Sequence, residues 1–328
     1  MKLLVCGGAG FIGSNFVRLR LREHGDEIVV LDKLTYAGRR ENLAGLDIAF
    51  VHAGIEDAAA VAEAIDGVDA VVNFAAETHV DRSIAEPDAF VTTHAQGTYV
   101  LLEAARAAGL RYVQVSTDEV YGSIDTGSFT EESPLAPSSP YSATKAGADL
   151  LVWSYFHTYG LPTLIARGSN NYGPFQYPEK LIPLMILNAL HGDKLPVYGD
   201  GMQVRNWIYV EDFARAIGHA LEHGEPGNVY NTGGPDECAN LEVVQRIIQL
   251  TGGDESLIEY VTDRPGHDRR YSLSSEKVRA LGWEPRMRFG DGLAHTVAWY
   301  RDNPSWWEPI RSGDYRAYYE RQYGRALS

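Results

Sequence analysis

Cysteine is scarce: two stand among 328 residues, Cys6 in an apolar segment and Cys238 far from it. That count excludes a disulfide framework and a cysteine-based metal cluster. Both are expected to be structural, and no metal site is expected. Positive charge is also short, with 29 Lys and Arg against 44 Asp and Glu, a formal charge of −15. Generic binding to nucleic acid or to an anionic membrane is therefore disfavoured. Any anionic substrate needs a locally basic pocket. No apolar run approaches the ~18 residues that a membrane-crossing helix needs. No signal-peptide pattern opens the chain, so a cytoplasmic location is the expectation. Internal repeats and low-complexity segments are likewise missing.

What is present is an alternation. Short apolar runs rich in β-branched residues occupy 2–6, 27–31, 48–51, 70–74, 112–115 and 163–166, with helix-period patterns such as 11–23 and 90–108 between them. This order predicts an α/β fold, a Rossmann-type doubly wound parallel sheet with helices on both faces. Beyond about residue 167 the pattern turns irregular, broken by loops such as Tyr172-Gly173-Pro174 and Pro196-Val197-Tyr198-Gly199. The expected division is a dinucleotide-binding domain over 1–167 and a smaller, less regular lobe over 168–328. A segment near 207–232, read as a helix at 209–221 and a strand at 229–231, is expected to return to the first domain.

The first strand runs straight into Gly7-Gly8-Ala9-Gly10-Phe11-Ile12-Gly13, which opens a helix. Glycines at 7, 10 and 13 permit a tight turn, close approach of backbone to a pyrophosphate, and close helix packing. The helix N-terminus adds free N–H groups and a favourable dipole. Asp32 ends the second strand nineteen residues after Gly13, where an acid can accept ribose hydroxyls and repel a 2′-phosphate. NAD is thus favoured over NADP, although Asp32 can also be read as a cap or turn former. Lys33, Arg39 and Arg40 argue the other way, since a nearby cation can hold a phosphate.

Tyr141-Ser142-Ala143-Thr144-Lys145 starts another long helix after a proline-rich loop. Residues four apart share a helix face, so the Lys145 ammonium is expected to favour the Tyr141 phenolate and to donate to a nicotinamide ribose. Upstream, STDEVYG (116–122) sets Thr117 and two adjacent carboxylates, Asp118 and Glu119, at the end of a buried strand. Two ordinary acids in a solvated loop would be the plain reading of that pair alone.

Together these motifs make the chain resemble the extended short-chain dehydrogenase/reductases that act on nucleotide sugars, and within them the nucleoside-diphosphate-glucose 4,6-dehydratases. The stretches AAETHVDRS (75–83), GSNNYGPFQYPEKLIPL (168–184), PVYGDGMQVRNWIYVED (196–212) and DRPGHDRRY (263–271) extend the resemblance over nearly the whole chain. It implies dTDP-glucose as substrate and a tightly bound NAD recycled within each turnover. Tyr141 takes the C4 hydroxyl proton during C4 oxidation, Glu119 removes the proton at C5, and Asp118, held neutral by burial, protonates the leaving C6 oxygen. Thr117 contacts the C4 oxygen. The implied cofactor contacts are Gly7, Gly10, Phe11, Ile12, Gly13, Asp32, Lys33, Leu34, Thr35, Gly54, Ile55, Ala75, Ala76, Thr93, Tyr141, Lys145 and Asn171. Those to substrate are Thr78, Thr117, Asn170, Lys180, Leu181, Pro196, Tyr198, Arg205, Asn240, Arg264, His267 and Tyr271. Asn170 and Asn171 can also be read as turn formers, and the arginines as surface ion pairs. A homodimer built on helices 90–108 and 143–159 is also implied.

Four positions depart from the family pattern. Gly54 stands where an acid is usual, His94 where asparagine is common, Gly168 in place of cysteine and Asn206 in place of aspartate. Other readings remain open: a nucleotide-sugar 4-epimerase, a dehydratase for another nucleotide sugar, or a non-catalytic NAD-sensing protein. An epimerase needs no paired acids after Thr117.

Overall fold

A computed structural model describes residues 1–263 and 266–324. Six parallel strands follow in order: β1 (Lys2–Cys6), β2 (Glu27–Asp32), β3 (Ala49–His52), β4 (Ala70–Asn73), β5 (Arg111–Thr117) and β6 (Thr163–Gly168). After β7 (Asn170–Tyr172), β8 (Leu195–Tyr198) and β9 (Val204–Tyr209) come β10 (Val229–Thr232), β11 (Asp236–Ala239) and β12 (Ile258–Val261). The large sheet has seven strands in the order β10-β6-β5-β4-β1-β2-β3. Every registered pair in it is parallel.

Alternate residues of its strands feed opposite cores. Leu3, Val5, Val30 and Val72 pack with the helices Phe11–His24 and Val210–His223. Leu4, Cys6, Leu31 and Val71 pack with Ala58–Ala64, Thr98–Ala108 and Pro140–Tyr159. Covering on both faces is why these strands read as unbroken apolar runs and not as alternations. The chain reverses direction across the sheet between β1 and β4, and a ligand crevice is expected outside the strand ends at such a switch point. Gly7, Asp32, Ala75 and Thr117 all lie at those ends.

Val229–Thr232 pairs with β6 in the large sheet. Val278 and Trp283 also join that sheet's core, so the chain crosses the expected boundary at 167 more than once. The remainder is more ordered than its sequence suggests. A three-stranded sheet, β11-β9-β7, and a pair, β12-β8, pack with the helices Leu181–His191, Asn240–Thr251 and Phe289–Asp302 around a third core.

The expected helix over 90–108 contains an interruption. Between Asp88–Val91 and Thr98–Ala108 the turn widens to a π-helix at Thr92–Gly97. The wider turn sets Thr93 against Lys33 and His94 against Thr144. Gly97 also leaves room for Ile55, whose Cγ1 lies 2.5 Å from where a Cβ would stand. Among the described residues no helix is long and apolar enough to cross a membrane, and no cluster of potential metal ligands occurs. Cys6 and Cys238 are both free and buried.

Candidate active site

The cradle begins at Gly7, whose φ of +72° is poorly accessible to other residues, and an added Cβ would lie 2.5 Å from the Ala75 nitrogen. At Gly13 a Cβ would come within 2.3 Å of the Gly7 carbonyl oxygen. Gly10 caps the helix Phe11–His24 without a side-chain bond, leaving N–H groups of the first turn for an anion. Asp32 accepts from the N–H groups of Ala9 and Leu34 at 2.9 and 2.8 Å. A carboxylate has about four lone-pair sites, so both oxygens retain capacity for ribose hydroxyls.

The cations that argued for NADP are engaged elsewhere. Lys33 Nζ lies 3.2 Å from Glu77 and 2.9 Å from Thr93 Oγ1. The Arg39 guanidinium meets Glu41 and the Trp306 ring, and that of Arg40 stacks on Phe50. These contacts, with Asp32 at the strand end, suit an unphosphorylated ribose.

The same cleft runs on past β4 and β5. Its walls include Gly7, Gly10, Phe11, Ile12, Gly13, Asp32, Lys33, Thr35, Gly54, Ile55, Ala75, Ala76 and Thr93. Thr78, Thr117, Asp118, Glu119, Tyr141, Lys145, Asn170, Asn171 and Lys180 complete the expected residues that line it. Leu34 contributes its backbone to Asp32 from a left-handed φ of 52°.

Tyr141 and Lys145 are placed by the start of Pro140–Tyr159. Ser139 Oγ accepts from the Ser142 N–H at 3.1 Å, and Ser142 Oγ accepts from the Ser139 N–H at 3.0 Å. This reciprocal cap, with Pro140 in the first turn, fixes where the helix begins. The Tyr141 N–H donates to Ser83 Oγ at 3.2 Å, and Lys145 Nζ donates to the Val115 carbonyl at 2.7 Å. Burial lowers the Lys145 pKa to about 8, while Asp149 one turn on opposes the fall.

The expectation for the Tyr141 phenol needs correcting. Burial and the Glu119 charge raise its pKa, against the help of a Thr117 hydrogen bond. Lys145 is turned to a backbone carbonyl and does not offset that. The phenol is protonated at neutral pH in this arrangement, so an acceptor role requires further positive charge beside it.

Asp118 is a strongly shifted acid on the cleft wall. It is fully enclosed, and burial first, then Glu119, raises its pKa from 3.8 to about 8. Thr117 Oγ1 donates to Asp118 Oδ1 at 3.3 Å and accepts from the Glu119 N–H at 3.2 Å. Asp118 Oδ2 is buried and has no partner among the described residues. A neutral acid and a neighbouring carboxylate at one strand end are suited to donating and accepting protons on adjacent carbons.

The expected substrate residues divide. Arg205 is buried with its guanidinium 4.3 Å from the Tyr271 ring centre, and its charge acts on Asp118 while that of Glu119 acts on Tyr271. Neither stands on the cleft wall itself. Tyr198 lines a second cavity with Asp81, Asp263 and Gln322, and His267 Nδ1 lies 2.6 Å from Asp263. Leu181 and Asn240 begin helices and Pro196 is buried in β8, none of them on the cleft wall. Arg264 lies outside the described residues. Arg269 and Arg270 pair with Asp200 and Glu237, which matches the surface ion-pair alternative.

Three departures have structural reasons. At Gly168 a Cβ would lie 2.4 Å from the Phe213 ring, so only glycine fits beside it. Asn206 donates to the carbonyls of Gly234 and Asp236, joining β9 to the loop before β11. His94 is buried, and its Nδ1 lies 2.8 Å from Thr144 Oγ1. Gln176 escaped sequence reasoning: it lines the cleft with a buried amide oxygen that has no partner among the described residues, as do Asn170 and Asn171. Nothing in its local pattern marks it, because its place depends on the loop after β7.

Residues 4–296 match the family described as GDP-mannose 4,6 dehydratase. The chain is 55% identical over 305 residues to the low-salt glycan biosynthesis protein Agl12 of Haloferax volcanii, covering 92% of this chain and 98% of that one. It is 51% identical to a dTDP-glucose 4,6-dehydratase of Streptomyces niveus, with 96% and 97% covered. Among solved structures, the dTDP-glucose 4,6-dehydratase DesIV of Streptomyces venezuelae, solved with NAD bound, superposes with a TM-score of 0.92 at 53% identity, covering 94% of this chain and 100% of that one. The chain belongs to the GDP-mannose 4,6 dehydratase family.

Proposed function

We propose that the protein converts dTDP-glucose to its 4-keto-6-deoxy product with NAD as a recycled cofactor. The buried Asp118 beside Glu119, at the strand end next to Thr117 and Tyr141, carries this reading. A 4-epimerase has no use for a neutral acid there. The relatives' names support the substrate, and the glycine cradle with Asp32 supports the dinucleotide.

When bound, oxidised NAD supplies a positive charge favouring the Tyr141 phenolate and a reversible hydride acceptor. Tyr141 then takes the proton of the C4 hydroxyl while Thr117 turns its hydroxyl from Asp118 to donate to the same oxygen. Glu119 removes the C5 proton, acidified by the new 4-keto group. Asp118 gives its proton to the departing C6 oxygen, which leaves as water; Glu119 then returns its proton to C5 as the hydride taken from C4 is delivered to C6. Lys145 holds the nicotinamide ribose, and Arg205 stacked on Tyr271 offers its fork to the pyrophosphate. Asn170, Thr78 and Lys180 bound the sugar, and His267 extends the nucleotide site.

We propose a homodimer as well. Tyr99, Leu150, Trp153 and Tyr159 are each about half exposed on the paired helices Thr98–Ala108 and Pro140–Tyr159. Large apolar side chains exposed on neighbouring helices offer surface for an interaction.

The direct test supplies dTDP-, UDP-, CDP- and GDP-glucose with NAD and reads the alkali absorbance of a 4-keto product. Product from dTDP-glucose is expected; none from any of them would overturn the reading.

A further inference from the structure

Glu56 belongs to neither the acid pair nor the expected cofactor contacts, yet it stands on the cleft wall. A turn closes from the Gly54 carbonyl to the Asp57 N–H at 3.1 Å, and Asp57 caps the following helix through Ala59 and Ala60. That turn folds Glu56 back over Gly54. Its Oε2 lies 2.4 Å from the point a Gly54 Cβ would occupy, so the carboxylate fits there only because residue 54 is glycine. Oε1 is 3.9 Å from Lys33 Nζ, while Oε2 is buried without a hydrogen-bond partner among the described residues. A buried anionic acceptor left unpaired is costly, so a ligand donor is the natural partner.

The strand order says which part of a dinucleotide arrives there. With the pyrophosphate at the Gly7–Gly13 turn after β1, one nucleoside runs toward Tyr141 beyond β4 and β5. The other crosses the end of β2, where Asp32 meets its ribose, and its base reaches the end of β3. Gly54, Ile55 and Glu56 form that end of the cleft, and Ile55 is pinned against Gly97. A purine carrying an exocyclic amine offers an N–H donor at its edge, whereas one carrying an oxo group offers a lone pair that a carboxylate repels.

We infer that the Glu56 carboxylate, folded over Gly54, accepts a hydrogen bond from the adenine amine of the bound dinucleotide and selects that base. The inference rests on the NAD reading above and adds a specificity residue to it. Glu56 positions and selects; it touches no reacting atom.

The test measures dissociation constants on protein freed of dinucleotide, by calorimetry, for NAD and for nicotinamide hypoxanthine dinucleotide, in which the amine is replaced by oxo. The unsubstituted protein is expected to prefer NAD by about 10-fold or more, the worth of one charge-assisted bond. Glu56→Ala is expected to weaken NAD by a similar factor and leave the hypoxanthine analogue unchanged or tighter. Glu56→Gln, which keeps the shape and an acceptor oxygen, is expected to recover part of the preference, and it controls for a local change of fold. An equal preference in the unsubstituted and Glu56→Ala proteins overturns the inference while leaving NAD as the cofactor. Absence of binding by either dinucleotide overturns the NAD reading and this inference with it.

Discussion

Asp118→Asn removes one titrating proton from the site while keeping the size and shape of the side chain. Burial and Glu119 raise the pKa of Asp118 from 3.8 to about 8. At pH 7 about ten neutral acids therefore exist for each carboxylate, whereas a solvated aspartate would be neutral roughly once in a thousand. The enclosure thus enlarges the population of proton donor by about 10³. The sign follows directly: the donor is present below pH 8 and lost above it. Elimination is expected to fall about tenfold per pH unit on the alkaline side. The loss of charge on Lys145, whose pKa burial lowers to about 8, steepens the fall; the two limbs report a coupled site and not one residue. The asparagine variant retains C4 oxidation but lacks the proton for the C6 oxygen, so product formation should slow by roughly 10²–10⁴. Single-turnover experiments can follow reduced nicotinamide by its near-ultraviolet absorbance, which should accumulate in the variant and not in the parent. A parent rate that stays flat from pH 7 to about pH 10, or undiminished product from the variant, would refute the reasoning.

Tyr141→Phe should block the earlier step, so that neither reduced nicotinamide nor product appears in the same single-turnover assay. NADP should bind at least about 100-fold more weakly than NAD in a titration, because the 2′-phosphate meets the Asp32 carboxylate and Lys33 is held by Glu77; equal affinities would contradict that. Arg20 is buried, with Nε and an Nη each 2.5 Å from Asp26 and Glu222, linking the helices on one face of the sheet. Arg20→Ala should lower stability by about 1.5–3 kcal/mol in urea unfolding, since Asp26 keeps only the Met1 ammonium as a charged partner and Glu222 loses its contact. Trp153→Glu should turn a sedimenting dimer into a monomer at micromolar concentration, and a parent already monomeric there would dispose of the interface.

The parallel strands of the large sheet were legible because burial on both faces leaves continuous apolar runs, and the structure moves their ends by only one or two residues. The cofactor turn was legible because a strand, three spaced glycines and a helix have to occur in that order, with an acid closing the next strand. The acid pair was visible as a pair, but the neutrality of Asp118 is a property of three-dimensional enclosure. The small sheets were hidden for a different reason. Asn170–Tyr172, Val204–Tyr209 and Asp236–Ala239 are short and pair with distant segments, so no local period betrays them. The π-turn at Thr92–Gly97 conforms to the helical pattern on either side of it and shows itself only in where Thr93 and His94 point. Arg205 gave no sign of stacking on Tyr271, a contact between residues far apart in sequence. Glu56 carries no local mark, because Gly54 two residues before it reads only as the absence of a usual acid, and the fold of the turn alone shows a carboxylate filling that space.

The central claim is that one bound nicotinamide oxidises C4 of a hexose and reduces C6 of the same molecule, with Asp118 and Glu119 removing water in between. Product formed from dTDP-glucose carrying deuterium at C4 tests it most directly by mass spectrometry and NMR. Deuterium is expected at C6, transferred within one sugar even when labelled and unlabelled substrates are mixed. Deuterium lost to solvent, or scrambled between molecules, would contradict it.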